Sequence, residues 1–91
     1  MTKKELVNKI HELCKGLEDI TEENVETLKT NVEYDGKTYS VYLFGNDEMF
    51  DGNRFYQYGI DETGKTYKFY YDGTEDLDEI DYESPIDVEE E

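Results

Sequence analysis

The chain has no tryptophan and only one cysteine, one proline, one histidine and one arginine among its 91 residues. A single Cys14 excludes an intramolecular disulfide, and with no C-x-x-C pair and only His11 beside it no zinc-ligand or dithiol spacing exists. Long apolar runs are missing as well. The longest is Val41-Tyr42-Leu43-Phe44, far short of the roughly 20 residues that a membrane helix needs. The opening MTKKELVNKI lacks the apolar stretch of a secretory signal. A soluble chain, located in the cytoplasm, is therefore expected. Basic residues are scarce: 9 Lys and Arg stand against 25 Asp and Glu, a formal net charge of −16. A surface of that sign repels nucleic acid and anionic lipid, so neither direct nucleic-acid binding nor a membrane role is expected.

The acid is concentrated at one end. Thr74 to Glu91, TEDLDEIDYESPIDVEEE, holds ten carboxylates and no Lys or Arg. Such a run usually marks a solvated or disordered interaction tail, and mutual repulsion opposes a compact state. The chain is 35% apolar, which with this charge leans towards disorder. Nine Tyr and four Phe pull the other way, since each ring can bury roughly 150–250 Å². The division this predicts is a single α+β domain over residues 1–73 and an acidic tail over 74–91, disordered or docked on the sheet.

Thr2 to Leu17 reads as an amphipathic helix. Thr2 and Glu5 have capping-box spacing. Leu6, Ile10, Leu13 and Leu17 fall on one stripe of a 3.6-residue period, with Val7 and Cys14 on its flank. Leu17 to Asn24 is a connector, although Thr21 before Glu22 and Glu23 could cap a second short helix, so Thr21–Leu28 is open between helix and strand. From about Val25 the period changes to two. Asp35-Gly36 is a hairpin turn signal between a first strand and its return, Lys37 to Phe44. After a loop over Gly45 to Asn53, a second hairpin runs from Arg54 to Asp61 and from Thr66 to Asp72, turning through Glu62-Thr63-Gly64-Lys65. Residues 32–45 and 60–73 align, sharing Gly-Lys-Thr-Tyr, which suggests either duplication or the common needs of turns and strands. The expected architecture is an N-terminal helix packed on a four-stranded antiparallel meander. Rings fall on both faces of its strands. One helix covers one face, leaving the other to the tail or to a partner.

Gly59 to Thr66 matches the phosphate-loop pattern G-x-x-x-x-G-K-[ST] letter for letter. That motif works where a strand feeds a helix whose N–H groups face the phosphates. Here Tyr67 to Tyr71 continues as a strand, and Asp61 and Glu62 would put negative charge in the cradle. A hairpin turn is the better account. A Ca²⁺ loop begun at Asp76 would need Gly at its sixth position, where Asp81 stands. Cys14 and His11 are read as a small core residue and a surface histidine, and Ser40 and Ser84 lack a nucleophile setting. No catalytic, cofactor or metal site is expected.

Acid and tyrosine remain. An extended eighteen-residue tail would span roughly 60 Å at about 3.3 Å per residue, a sparse anionic ribbon beside duplex DNA with its charge per about 1.7 Å. Candidate partner-binding carboxylates are Glu75, Asp76, Asp78, Glu79, Asp81 and Glu83 in the tail, with Asp47, Glu48, Asp51, Asp61, Glu62 and Asp72 at loops and turns. Tyr56, Tyr58, Tyr70 and Tyr82 could add contact area and stack on arginine. Charge complementarity of this kind gives fast, salt-sensitive association with a basic partner.

With its acidic Glu75–Glu91 segment, acidic turns and ring-rich YSVYLF and YKFYY strands, the chain resembles the small acidic DNA-mimic proteins of phages and mobile elements, the anti-CRISPR and anti-restriction inhibitors. The resemblance is one of overall character and transfers no residue role. It implies occupation of the nucleic-acid channel of a Cas nuclease or restriction enzyme in a bacterial cell. A monomer or weak dimer is expected. The alternatives are an immunity protein or antitoxin against a nuclease toxin, and an acidic accessory or scaffold domain.

Overall fold

A computed structural model describes residues 1–91. Helix α1, Lys3–Leu13, begins with the capping box: the Thr2 hydroxyl accepts from the Glu5 N–H and the Glu5 carboxylate accepts from the Thr2 N–H, both at 3.1 Å. It ends four residues before Leu17, because Cys14 is already extended and Gly16 turns left-handed at φ +86°. The chain then doubles back so that Ile20 is buried beneath the helix, and His11 Nε2 donates to the Ile20 carbonyl at 3.0 Å. Thr21 to Leu28 forms turns held by Asn24, then a 3-10 turn over Val25–Leu28. The first strand therefore starts later than the alternation predicts, because Val25 is fully buried as an anchor of that turn.

The fold is α+β with six antiparallel strands, where four were expected: β1 Lys29–Tyr34, β2 Lys37–Phe44, β3 Phe50–Asp51, β4 Arg54–Ile60, β5 Thr66–Asp72 and β6 Asp87–Glu90. The order is β1-β2-β4-β5-β6, and β3 pairs with β4. Asp35 (φ 51°) and Gly36 (φ 76°) supply the two positive φ values of the two-residue β1–β2 turn. Strand β2 pairs with β4 only through Tyr42, Leu43 and Phe44. Beyond a break at residues 45–49, β3 takes up the same edge of β4, bridged by the Tyr56 N–H to the Met49 carbonyl at 2.9 Å. The aligned hairpins turn differently, since β4 and β5 close through a five-residue loop, Asp61 to Lys65.

Alternation along the strands divides the core. Leu6, Val7 and Ile10 of α1 pack with Ile20, Val25, Phe44, Met49 and Ile60 on one face. Val32, Val41, Phe55, Tyr67, Phe69, Tyr71 and Ile80 form the other. The β1–β2 hairpin curls over this second face, bringing the Tyr39 ring to 5.2 Å from Tyr67 and 5.6 Å from Phe69.

Residues 74–91 pack on the sheet and do not form an extended ribbon. Leu77, Ile80 and Tyr82 lie against the second core, with the Tyr82 ring 5.1 Å from Tyr71 and 6.4 Å from Phe55. The Tyr71 hydroxyl donates to the Tyr82 carbonyl at 2.7 Å, and the Tyr82 hydroxyl donates to the Leu77 carbonyl at 3.0 Å. The segment reaches β1, where the Glu33 N–H donates to the Glu83 carbonyl at 2.9 Å. It then turns at buried Pro85 and returns to β5 through the Ile86 N–H and β6.

Candidate acidic interface

The carboxylates of residues 74–91 fall into two groups. In the first, β6 and the residue after it lay their acids beside the cations of the sheet: Asp87 on Arg54 at 3.2 Å, Glu90 on Lys65 at 2.6 Å and Glu91 on Lys68 at 3.4 Å. Glu89 accepts from the Tyr70 hydroxyl at 2.9 Å. Each exposed pair is worth only about 0–1 kcal/mol, but together they neutralise every cation of β4, β5 and the turn between them.

In the second group, Glu75, Asp76, Asp78, Glu79, Asp81 and Glu83 are all exposed, and none has a Lys or Arg nitrogen within 4.0 Å. Their backbone is nevertheless fixed. Asp76 accepts from the Asp78 N–H at 3.2 Å and Asp81 from the Glu83 N–H at 3.1 Å, while Leu77, Ile80 and Tyr82 point into the core. The loop after β2 joins this arc. Asp47 and Glu48 are exposed and unpaired, and Asn46 ties the loop down by accepting from the Glu48 N–H (2.9 Å) and donating to the Lys15 carbonyl (3.1 Å). Burial raises the Tyr82 phenol above its ordinary pKa, and the charges of Asp47 and Asp78 raise it further.

The remaining candidates lie elsewhere. Asp61 organises its own turn, accepting from the Thr63 N–H (3.0 Å), the Thr63 hydroxyl (2.6 Å) and the Lys65 N–H (3.0 Å). Burial pushes its carboxyl up, but these donors and Tyr67 outweigh that and hold it below the usual value. Glu62 pairs with Lys29 at 2.9 Å. Both sit at the other end of β4 and β5 from Asp51 and Asp72, about 20 Å away at roughly 3.4 Å per residue. Asp51 lies 3.6 Å from Arg54, and Asp72 accepts from the Thr74 N–H and hydroxyl. Tyr56, Tyr58 and Tyr70 lie on the helix side of the sheet, opposite Tyr82, under the chain's own cations: Lys68 is 4.7 Å and 5.8 Å from the Tyr56 and Tyr58 centroids, and Arg54 is 3.9 Å from that of Tyr70. The candidate set therefore divides between two faces and two ends.

Two acids outside the expected set approach the arc. Glu33 and Asp35 line a cavity with Ser84, a neighbourhood created by the Glu33–Glu83 backbone bond, for which no local pattern gives a signal. The phosphate-loop lookalike spans β4, a turn and β5, with no helix to receive a phosphate. Cys14 is buried with its Sγ 3.6 Å from Met49 Sδ, and burial raises its thiol pKa. No group of three or more His, Cys, Asp or Glu converges on a metal position. No helix is long and apolar enough to cross a membrane. Comparison with protein-family models, with curated proteins and with solved structures gave no match.

The tyrosines give a direct test of how the acidic segment is held. Six of the nine, Tyr42, Tyr58, Tyr67, Tyr70, Tyr71 and Tyr82, have pKa values raised above 10.0, with burial the largest cause in each and Tyr71 shifted furthest. A folded value raised above the unfolded one contributes stability that is present below pH 10 and lost as pH rises through the folded value. Phenolate absorbance should therefore lag in the native protein relative to the urea-unfolded chain, and unfolding free energy should fall above pH 10. Tyr71→Phe should remove the most delayed phenol and cost about 1 kcal/mol, by leaving the Tyr82 carbonyl without its donor. Superimposable native and unfolded titrations would contradict this packing.

Proposed function

We propose that the protein is a non-catalytic acidic inhibitor of a basic nucleic-acid-binding protein, of the anti-CRISPR or anti-restriction kind, acting in the bacterial cytoplasm and encoded by a phage or mobile element. Its acidic arc enters the DNA channel of a nuclease and meets the Arg and Lys that otherwise hold phosphate. The observation that carries this reading is the combination, in the carboxylates of Asp47, Glu48 and the segment Glu75 to Glu83, of exposure, no Lys or Arg nitrogen within 4.0 Å and a backbone pinned to the core. A disordered tail of the same charge would lose conformational freedom on binding. A fixed arc has already lost it, so more of the charge attraction appears as affinity. The DNA-binding channel is preferred to other basic surfaces because it concentrates cations in a cleft and focuses the field on an incoming anion.

The test is affinity capture from lysates of bacteria carrying Cas nucleases and restriction enzymes, across a salt series with and without competing duplex DNA. The wild-type chain is compared with the variant Asp47→Asn, Glu48→Gln, Asp78→Asn, Glu79→Gln. Wild type should retain a nuclease that salt and DNA both displace. The variant should bind it at least about tenfold more weakly, a change of about 1.4 kcal/mol. Capture unaffected by either DNA or the four substitutions would overturn the proposal and favour an accessory role. A nuclease toxin as the retained partner would convert the reading to immunity.

A further inference from the structure

Among the cavities of the molecule, one is built by the acidic segment itself. It lies between the end of β5, the turn at Glu75–Asp81 and the return through Ser84 and Ile86, with a volume of about 260 Å³. Tyr71, Ile80 and Ile86 give it apolar walls, and Asp72, Glu75 and Asp81 give it carboxylates. Tyr71 and Ile80 are buried, whereas Ile86 is 53% exposed, one of only three large apolar side chains left open to solvent. No Lys or Arg lines the cavity. That separates it from the hollow beside the helix N-terminus, where Lys3 stands among Glu26, Asp61 and Glu62, and from the one beside His11, where Lys4 faces Glu18 and Glu22.

We infer that this cavity receives an arginine side chain of the protein partner. An apolar wall under a carboxylate rim matches a side chain with a methylene stem and a cationic head. Three carboxylates on different parts of the backbone suit a planar head with five donors better than the compact ammonium of lysine. Neither Asp72 nor Asp81 is prevented from doing this by its turn bonds, since each contributes one oxygen to a local N–H and keeps the other. The inference rests on the proposed reading of the acidic arc and gives it an anchor point. A central, desolvated arginine is the type of contact that dominates interface energetics.

The experiment is an NMR titration of the full-length, methyl-labelled protein with N-acetyl-arginine methylamide, and in parallel with the lysine and norleucine analogues. The arginine probe should produce saturable shifts centred on the Ile80 and Ile86 methyls and the Tyr71 ring, several-fold tighter than the lysine probe and absent with norleucine. Ile86→Ser, at an exposed position, and the pair Glu75→Gln, Asp81→Asn should each weaken that response at least fivefold while the remaining amide spectrum is retained. No response at Ile86 would overturn the inference, as would equal responses to all three probes, or shifts spread evenly over Glu22, Glu23, Asp47 and Glu48. The nuclease capture above is read independently. Capture that survives while the cavity stays silent removes the anchor and leaves the proposed function standing; a responsive cavity with no capture does the reverse.

Discussion

Removing residues 74–91 should unfold the protein, not merely strip it of charge. The truncated chain would lose Ile80, Leu77, Tyr82 and Val88 from the second core and uncover Phe55, Phe69 and Tyr71. It would also lose the β5–β6 ladder and the partners of Arg54, Lys65 and Lys68. Burial of one large apolar side chain is worth about 1.5–3 kcal/mol. Complete burial of Ile80 and partial burial of the other three therefore amount to roughly 5 kcal/mol, the low end of the 5–15 kcal/mol that hold a typical domain together. Relief of repulsion works in the opposite direction, since ten carboxylates leave with the segment. That relief is smaller, because the charges are exposed and screened within about 8 Å at physiological salt. Urea denaturation followed by circular dichroism should show a cooperative transition for residues 1–91 and none, or one shifted to very low urea, for residues 1–73. A truncated chain that unfolds with the full-length midpoint would mean that the segment is not part of the core. For the same reason, charge substitutions at exposed positions test the acidic interface more cleanly than truncation does.

What the sequence made legible was local. The capping box at Thr2 and Glu5 and the Asp35-Gly36 turn each depend on a few adjacent residues, and both appear as expected. The division of rings between two faces follows from a period of two, and Tyr39 and Val41 do lie opposite Tyr42 and Phe44. The end of the helix was harder. Leu17 continues the apolar stripe and still packs on the core, but it does so from a turn after Gly16. Alternation draws Val25 into the strand, because burial in a 3-10 turn leaves the same single apolar letter. Strand β3 was lost in a short acidic loop. Strand β6 was lost because Val88 is the only apolar residue among its four.

The acidic segment exposes the deeper limit. Leu77, Ile80 and Tyr82 leave open in the sequence whether the segment docks or stays disordered, and what decides it is the Tyr71 and Phe55 surface that awaits them. The candidate site suffered accordingly. The candidate set mixes Asp51 and Glu62, which pair with Arg54 and Lys29, with carboxylates of the acidic segment that face solvent unopposed, and only three-dimensional pairing separates the two. Net charge was visible from the sequence, but the distribution of unpaired charge depended on tertiary contacts such as Glu33 with Glu83.

Gly59→Ala should be the most damaging single-methyl change in the chain's second core. Gly59 sits in β4 opposite Leu43 and Tyr67. A Cβ built there would stand 2.5 Å from Cε2 of Phe69 and 2.9 Å from Cγ2 of Val41. Neither neighbour can move aside freely. Phe69 is fully buried and Val41 is 1% exposed, both held within the curl that brings the β1–β2 hairpin over the sheet. The missing side chain is thus what permits β2 to bend across β4 and enclose Tyr39, Tyr67 and Phe69. Overpacking a filled core typically costs 1–3 kcal/mol, and 2 kcal/mol in a domain of this size lowers the melting temperature by about 8–16 °C. Thermal unfolding should show a fall of that order for Gly59→Ala and a larger one for Gly59→Val. A compensating Phe69→Leu change should recover part of the alanine variant's loss, because it removes the closest ring carbon; additivity of the two penalties would instead show that the strain lies elsewhere in β4.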